Sequence, residues 1–125
     1  MKKKFIQNAN SPKRAKNFFD VVSSDDTLQV IVGQDSSNHI LLLWQDEYYL
    51  NEYLSTSSIT IKLSKPCTMD FLKWLKGNTH KRFLIHPVFE QESLELDSED
   101  VFKRIVANID SDGDFYNILK EHKMI

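Results

Sequence analysis

A chain of 125 residues can bury one hydrophobic core but not two that are independently stable, so a single domain spanning 1–125 is expected. Apolar residues make up 41% and charged residues 27%, which excludes a disordered chain and a coiled coil. Basic and acidic side chains nearly balance at a net charge of -2, and the longest apolar run, Ile40-Leu41-Leu42-Leu43-Trp44, falls far short of the ~20 residues a membrane-spanning helix needs.

Lys2-Lys3-Lys4 is followed only by Phe5-Ile6 before polar residues resume, so residues 1–10 read as a flexible basic arm and not as a signal segment. Asn10-Ser11-Pro12 then carries a capping side chain ahead of a first-turn proline. Ala15, Phe18, Phe19 and Val22 recur at helical spacing, which predicts a helix from about Pro12 to Ser23. Leu28 to Val32 is rich in β-branched residues and is predicted to be a strand closed by Gly33, with a turn over Gly33 to Asn38. His39 to Trp44 forms the second arm of an antiparallel hairpin, and its continuous apolarity marks a central strand.

Asp46 to Leu54 is predicted helical, because Asp46 and Glu47 suit the positive N-terminal end and Ser55 to Ser58 breaks the pattern. Ile59 to Leu63 alternates with period two, the mark of a half-buried strand. Thr68 is placed to cap a helix over Met69 to Lys76, closed by Gly77. Arg82 to Phe89 and Ser93 to Leu96 read as strands turning at Glu90-Gln91-Glu92, with Pro87 at an edge or bulge. Ser98 caps a helix to about Ile109, and a short helix from Phe115 to Glu121 follows an Asp114 cap. The order α-β-β-α-β-α-β-β-α-α, with hairpins, gives an α+β fold with an antiparallel or mixed sheet of about five strands packed by helices.

Chemistry-bearing motifs are sparse. The three glycines lie far apart in no phosphate-cradling pattern, no serine sits in a hydrolase elbow, and Cys67 alone can build neither a disulfide nor a thiolate metal site. No cofactor is expected, and a reducing cytoplasm suits the single cysteine. Asp110, Asp112, Asp114 and Glu121 match positions 1, 3, 5 and 12 of a calcium-binding loop, which makes a calcium-responsive module the alternative reading. Phe115 replaces the glycine that loop needs at its sharp turn, and Asn117 replaces an apolar residue, so a helix end, a Gly113 break and an Asp114 cap is the simpler account. His39, His80, His86 and His122 show no metal-ligand spacing; a small enzyme centred on His86 would need two carboxylates beside it. Turn and cap roles account for the acidic pairs Asp25-Asp26, Asp46-Glu47 and Glu99-Asp100.

The charges come in blocks. Residues 1–16 carry six basic side chains and no acid, 17–58 seven acids and no lysine or arginine, 59–83 six basics and one acid, and 84–100 six acids and no basics. Blocks that mapped to separate faces would steer a charged partner. The basic arm lacks interleaved aromatics, so nucleic acid is not the expected partner.

Phe18-Phe19-Asp20-Val21-Val22, Leu42-Leu43-Trp44, Asp70 to Leu75 and Glu95 to Val101 resemble segments of an uncharacterised family of small bacterial α+β proteins, a resemblance that implies a fold and no activity. In single-domain size, absence of a catalytic motif and an acidic aromatic stretch, the chain is similar to the immunity proteins of contact-dependent growth inhibition and related toxin systems. That similarity implies a non-enzymatic cytoplasmic protein that binds and neutralises a cognate toxin domain with a basic surface. The expected contact residues are Asp35, Asp46, Glu47, Tyr48, Tyr49, Glu52 and Tyr53, with the acids steering and the rings anchoring.

Overall fold

The computed structural model describes residues 2–35 and 39–125, so Ser36, Ser37 and Asn38 of the predicted turn lie outside the described residues. The elements are α1 (Lys2–Gln7), α2 (Ser11–Val22), β1 (Ile31–Asp35), β2 (Ile40–Trp44), α3 (Glu47–Thr56), β3 (Ile61–Ser64), α4 (Thr68–Gly77), β4 (Arg82–Ile85), β5 (Leu94–Asp97), α5 (Ser98–Asn108) and α6 (Asp114–Glu121). They form an α+β fold around one five-stranded mixed sheet, ordered β3-β1-β2-β4-β5. Only β2 and β4 run parallel, and the three remaining pairings are antiparallel. The predicted hairpin and the central position of β2 are both present.

Alternation along the strands sorts the apolar residues into two cores. Leu41, Leu43, Phe83, Ile85 and Leu96 face one side, where α2, α4, α5 and α6 cover them with Phe18, Leu72, Ile105, Leu119 and their neighbours. Ile31, Leu42 and Trp44 face the other, beneath Ile6 of α1 and Tyr49 and Leu50 of α3. The sheet is thus covered on both faces, which is why β2 reads as an unbroken apolar run.

Several local expectations are corrected. The 1–10 segment is not a flexible arm: residues 2–7 are helical, and Ile6 is buried in the second core. Arg14, counted in the basic block, is 2% exposed. Its guanidinium donates to the carbonyls of Ala9 (2.7 Å), His86 (3.0 Å) and Glu92 (2.6 Å), tying α2 to the chain before it and to the β4–β5 loop. A planar fork of five donors can hold three carbonyls at once, so a buried charge here is solvated by backbone dipoles.

Gly33 lies inside β1 and does not end it. A Cβ at this position would come within 2.8 Å of Ile61 Cγ2 and 3.0 Å of the Trp44 ring, so the missing side chain makes room for the indole. Thr68 and Ser98 are the first residues of their helices and not their caps. Both are buried, and their hydroxyls donate to the carbonyls of Leu28 (3.2 Å) and Asn78 (2.6 Å). The cap of α5 is Asp97, whose carboxylate accepts from Asp100 N–H at 2.8 Å. β4 stops at Ile85, because His86 takes φ 45°, in the left-handed region, and turns the chain before Pro87 can enter the ladder. Gly113, not Asp114, precedes α6 as its cap.

Candidate functional site

The expected contact residues gather around α3, on the second face of the sheet. Asp46 caps this helix in extended geometry and accepts from Tyr48 N–H at 2.8 Å, while Glu47 sits in the positive first turn. Ser55 and Thr56 donate back to the Glu52 carbonyl at 2.9 and 3.0 Å, and the helix ends there. Its inner side is Tyr49, Leu50 and Tyr53, over Trp44.

This placement divides the seven residues. Tyr49 is a core side chain, 4% exposed and packed 4.2 Å from the His86 ring, so it is withdrawn from the contact set. Tyr48 and Tyr53 are half-buried. Burial, then the Asp35 charge, raises the Tyr53 pKa above the ordinary tyrosine range, which brings Asp35 of β1 into the field of α3. Asp46 pairs with Lys3 of α1 at 3.0 Å, and Glu47 pairs with Lys65 after β3. Two acids from a stretch devoid of basic residues therefore meet cations supplied by neighbouring elements.

Sequence reasoning missed the apolar part of this face. Tyr53 packs at a tilt 5.3 Å from buried Trp44 and stands edge-on to Phe89 at 6.3 Å, a row of rings leading from core to surface. Phe89 is 36% exposed, Leu54 of α3 37% and Phe5 of α1 61%. Leu54 shares the helical spacing of Leu50 and so read as an inward residue, whereas Phe5 and Phe89 are large apolar residues outside any helical stripe.

A second feature joins residues 85 positions apart. The turn after α2 and the α5–α6 connection wall an open cleft of about 530 Å³ whose lining includes Asp20, Asp25, Asp26, Asp110 and Asp114. Among the described residues only Asp20 of these five has a cationic partner, Lys16 at 2.7 Å. Asp25 accepts from the N–H and hydroxyl of Thr27, both at 2.8 Å, and these bonds hold its pKa below the ordinary carboxylate range. On the far side of the same turn, Thr27 and Leu28 line a shallower hollow with Asp46 and Glu47. The acids of that hollow, Asp46 and Glu47, are already paired with Lys3 and Lys65, so the acids without a cationic partner among the described residues are those of the first cleft, Asp25, Asp26, Asp110 and Asp114.

The calcium-loop residues are used otherwise. Asp110 accepts from Asp112 N–H at 3.0 Å, and α6 already begins at Asp114. Seven helical steps at 1.5 Å each carry Glu121 about 10 Å along the axis from Asp114. Among the described residues no group of three or more His, Cys, Asp or Glu is placed to hold a metal ion.

His86 is fully buried, and its partners are amides where an acid-base centre would need carboxylates. Gln45 Nε2 donates to Asn17 Oδ1 (2.8 Å) and to His86 Nδ1 (3.1 Å), which leaves the ring proton on Nε2 facing Gln7 Oε1 at 3.1 Å. Burial, reinforced by the Arg14 charge, lowers its pKa to about 3, so the ring stays neutral and joins α1, α2 and the sheet. His39, His80 and His122 are exposed. No described helix is long and apolar enough to cross a membrane.

Comparisons with protein-family models, curated proteins and solved structures find no match for this chain.

Proposed function

We propose that this chain is a non-enzymatic protein-binding protein, a bacterial immunity protein that neutralises a cognate toxin domain in the cytoplasm by docking on the toxin's basic surface. The observation that carries this reading is the acidic cleft, which Asp25, Asp26, Asp110 and Asp114 surround without cationic partners among the described residues. Clustered carboxylates repel one another, a cost to the free chain that a basic partner relieves on binding. The acidic cleft supplies long-range steering, and Tyr48, Tyr53 and Phe89 around α3 supply rigid aromatic area of the kind that dominates contact energy. Asp46, Glu47, Glu52 and Asp35 frame those rings as a polar rim.

The test is growth rescue. The chain is co-expressed with a toxin-like C-terminal domain from a neighbouring gene of the same genome, and protection is compared with that of an Asp25→Lys/Asp26→Lys/Asp114→Lys variant of matched thermal midpoint. The expected result is protection by the wild type, with association slowed at least tenfold and made less salt-dependent in the variant. Equal protection and equal association kinetics in the two would remove the acidic cleft from the reading. Failure of the wild type to protect or bind would remove the immunity role itself.

A further inference from the structure

On the opposite face of the sheet from α3, the α4 helix leaves part of the β3-β1-β2 surface open. The result is a groove of about 470 Å³, within the 300–1,000 Å³ common for small-molecule sites. Its floor is Val32 of β1 and Leu41 of β2, and its wall is Phe71 and Trp74 of α4. Trp74 is 38% exposed, whereas Trp44 is fully buried, so the groove holds the one indole with an open edge. That ring is held by near-parallel stacking on Phe71 at 6.2 Å and by an edge contact with Phe83 at 6.2 Å, so it is set before any ligand arrives.

The polar lining has a definite sign. Lys62 of β3 and Lys81, just before β4, both line the groove and form no ion pair among the described residues. Asp70 is the one carboxylate in the lining. Two free ammonium groups over an apolar floor complement an anion with an apolar body and disfavour both a cation and a neutral polar solute. A second copy of the chain is a poor occupant, because the exposed β3 edge carries Lys62, which would meet its own image.

We infer that the groove between α4 and the β3-β1-β2 surface binds a small amphipathic anion, with its apolar body against Trp74, Val32 and Leu41 and its acid group on Lys62 and Lys81. This site is separate from the proposed partner face and does not depend on it.

The probe is 8-anilinonaphthalene-1-sulfonate, an aromatic anion whose emission rises in apolar surroundings, titrated into the full chain with decanoate and decanol as competitors. The expected result is one saturable site, displaced by decanoate and at least tenfold less well by decanol. Lys62→Glu/Lys81→Glu is expected to weaken it at least tenfold, whereas Lys4→Glu/Lys103→Glu, elsewhere on the surface, leaves it unchanged. Excitation at the red edge of tryptophan should show energy transfer to the bound probe that falls in a Trp74→Phe variant. Absence of saturable binding up to millimolar probe, equal affinity in the two lysine double variants, or equal displacement by decanoate and decanol would each overturn the assignment.

Discussion

The two faces of the sheet are built to different standards. The first is sealed by four helices over a continuous apolar core that runs from Ala15 to Met124. The second is roofed by α1 and α3 alone, buries far fewer side chains and is threaded by the Gln7, His86 and Gln45 hydrogen bonds. Apolar area removed from water sets the larger part of folding free energy, so the first face holds the chain folded. The second face keeps rings half-exposed and polar groups in its interior.

Truncation sharpens the contrast most. Phe83→Ala, at a fully buried position in the first core, is expected to cost about 3–5 kcal/mol in chemical denaturation, whereas Leu50→Ala, under α3, should cost about 2–3 kcal/mol because the thinner roof can settle into the gap. Equal losses would show that both faces are one cooperative core.

Acid acts on the second face through His86. Its folded pKa of about 3 lies below the unfolded value of 6.5, so between these limits the unfolded chain binds the extra proton. The stability this ring contributes is complete above pH 6.5 and is lost as pH falls toward 3, by up to a few kcal/mol. Asparagine tolerates the left-handed backbone at this position, so in His86→Asn the melting temperature should fall less steeply over that window. Parallel pH profiles in the two proteins would show that the ring is protonated in the folded state.

The smallest expected effect is at Gly33. Adding one methyl against Ile61 and Trp44 should cost about 1–3 kcal/mol in Gly33→Ala and perturb the near-ultraviolet signal of Trp44. A silent substitution there would mean that the second face packs loosely enough to absorb it.

Much of this architecture is legible in the residues. The 3.6-residue stripes of α2 and α5, the apolar run of β2 and the helix-starting Asp46 predict the element order, because each signal is local and backbone hydrogen bonding within a segment depends on that segment. The candidate surface was legible in part. The α3 stretch was found by its acids and tyrosines, yet Tyr49 points inward, Leu54 at helical spacing from Leu50 stays exposed, and Phe89 was passed over because an isolated apolar residue carries no period.

The sequence by itself determined the α+β class, the strands and nearly every helix, since periodicity and capping are written within a few neighbouring residues. Tertiary structure alone decided that Arg14 would be buried among carbonyls, that a short lysine-rich segment would become the helix α1, and that Gly33 would make way for an indole. It also decided which charges met. Asp46 and Glu47 gained the cations of Lys3 and Lys65, while Asp25 and Asp26 were brought to Asp110 and Asp114 with no cation paired to them among the described residues. Coulomb interactions depend on distance in space, and only the packing of α2 against α5 sets that distance across 85 residues of chain.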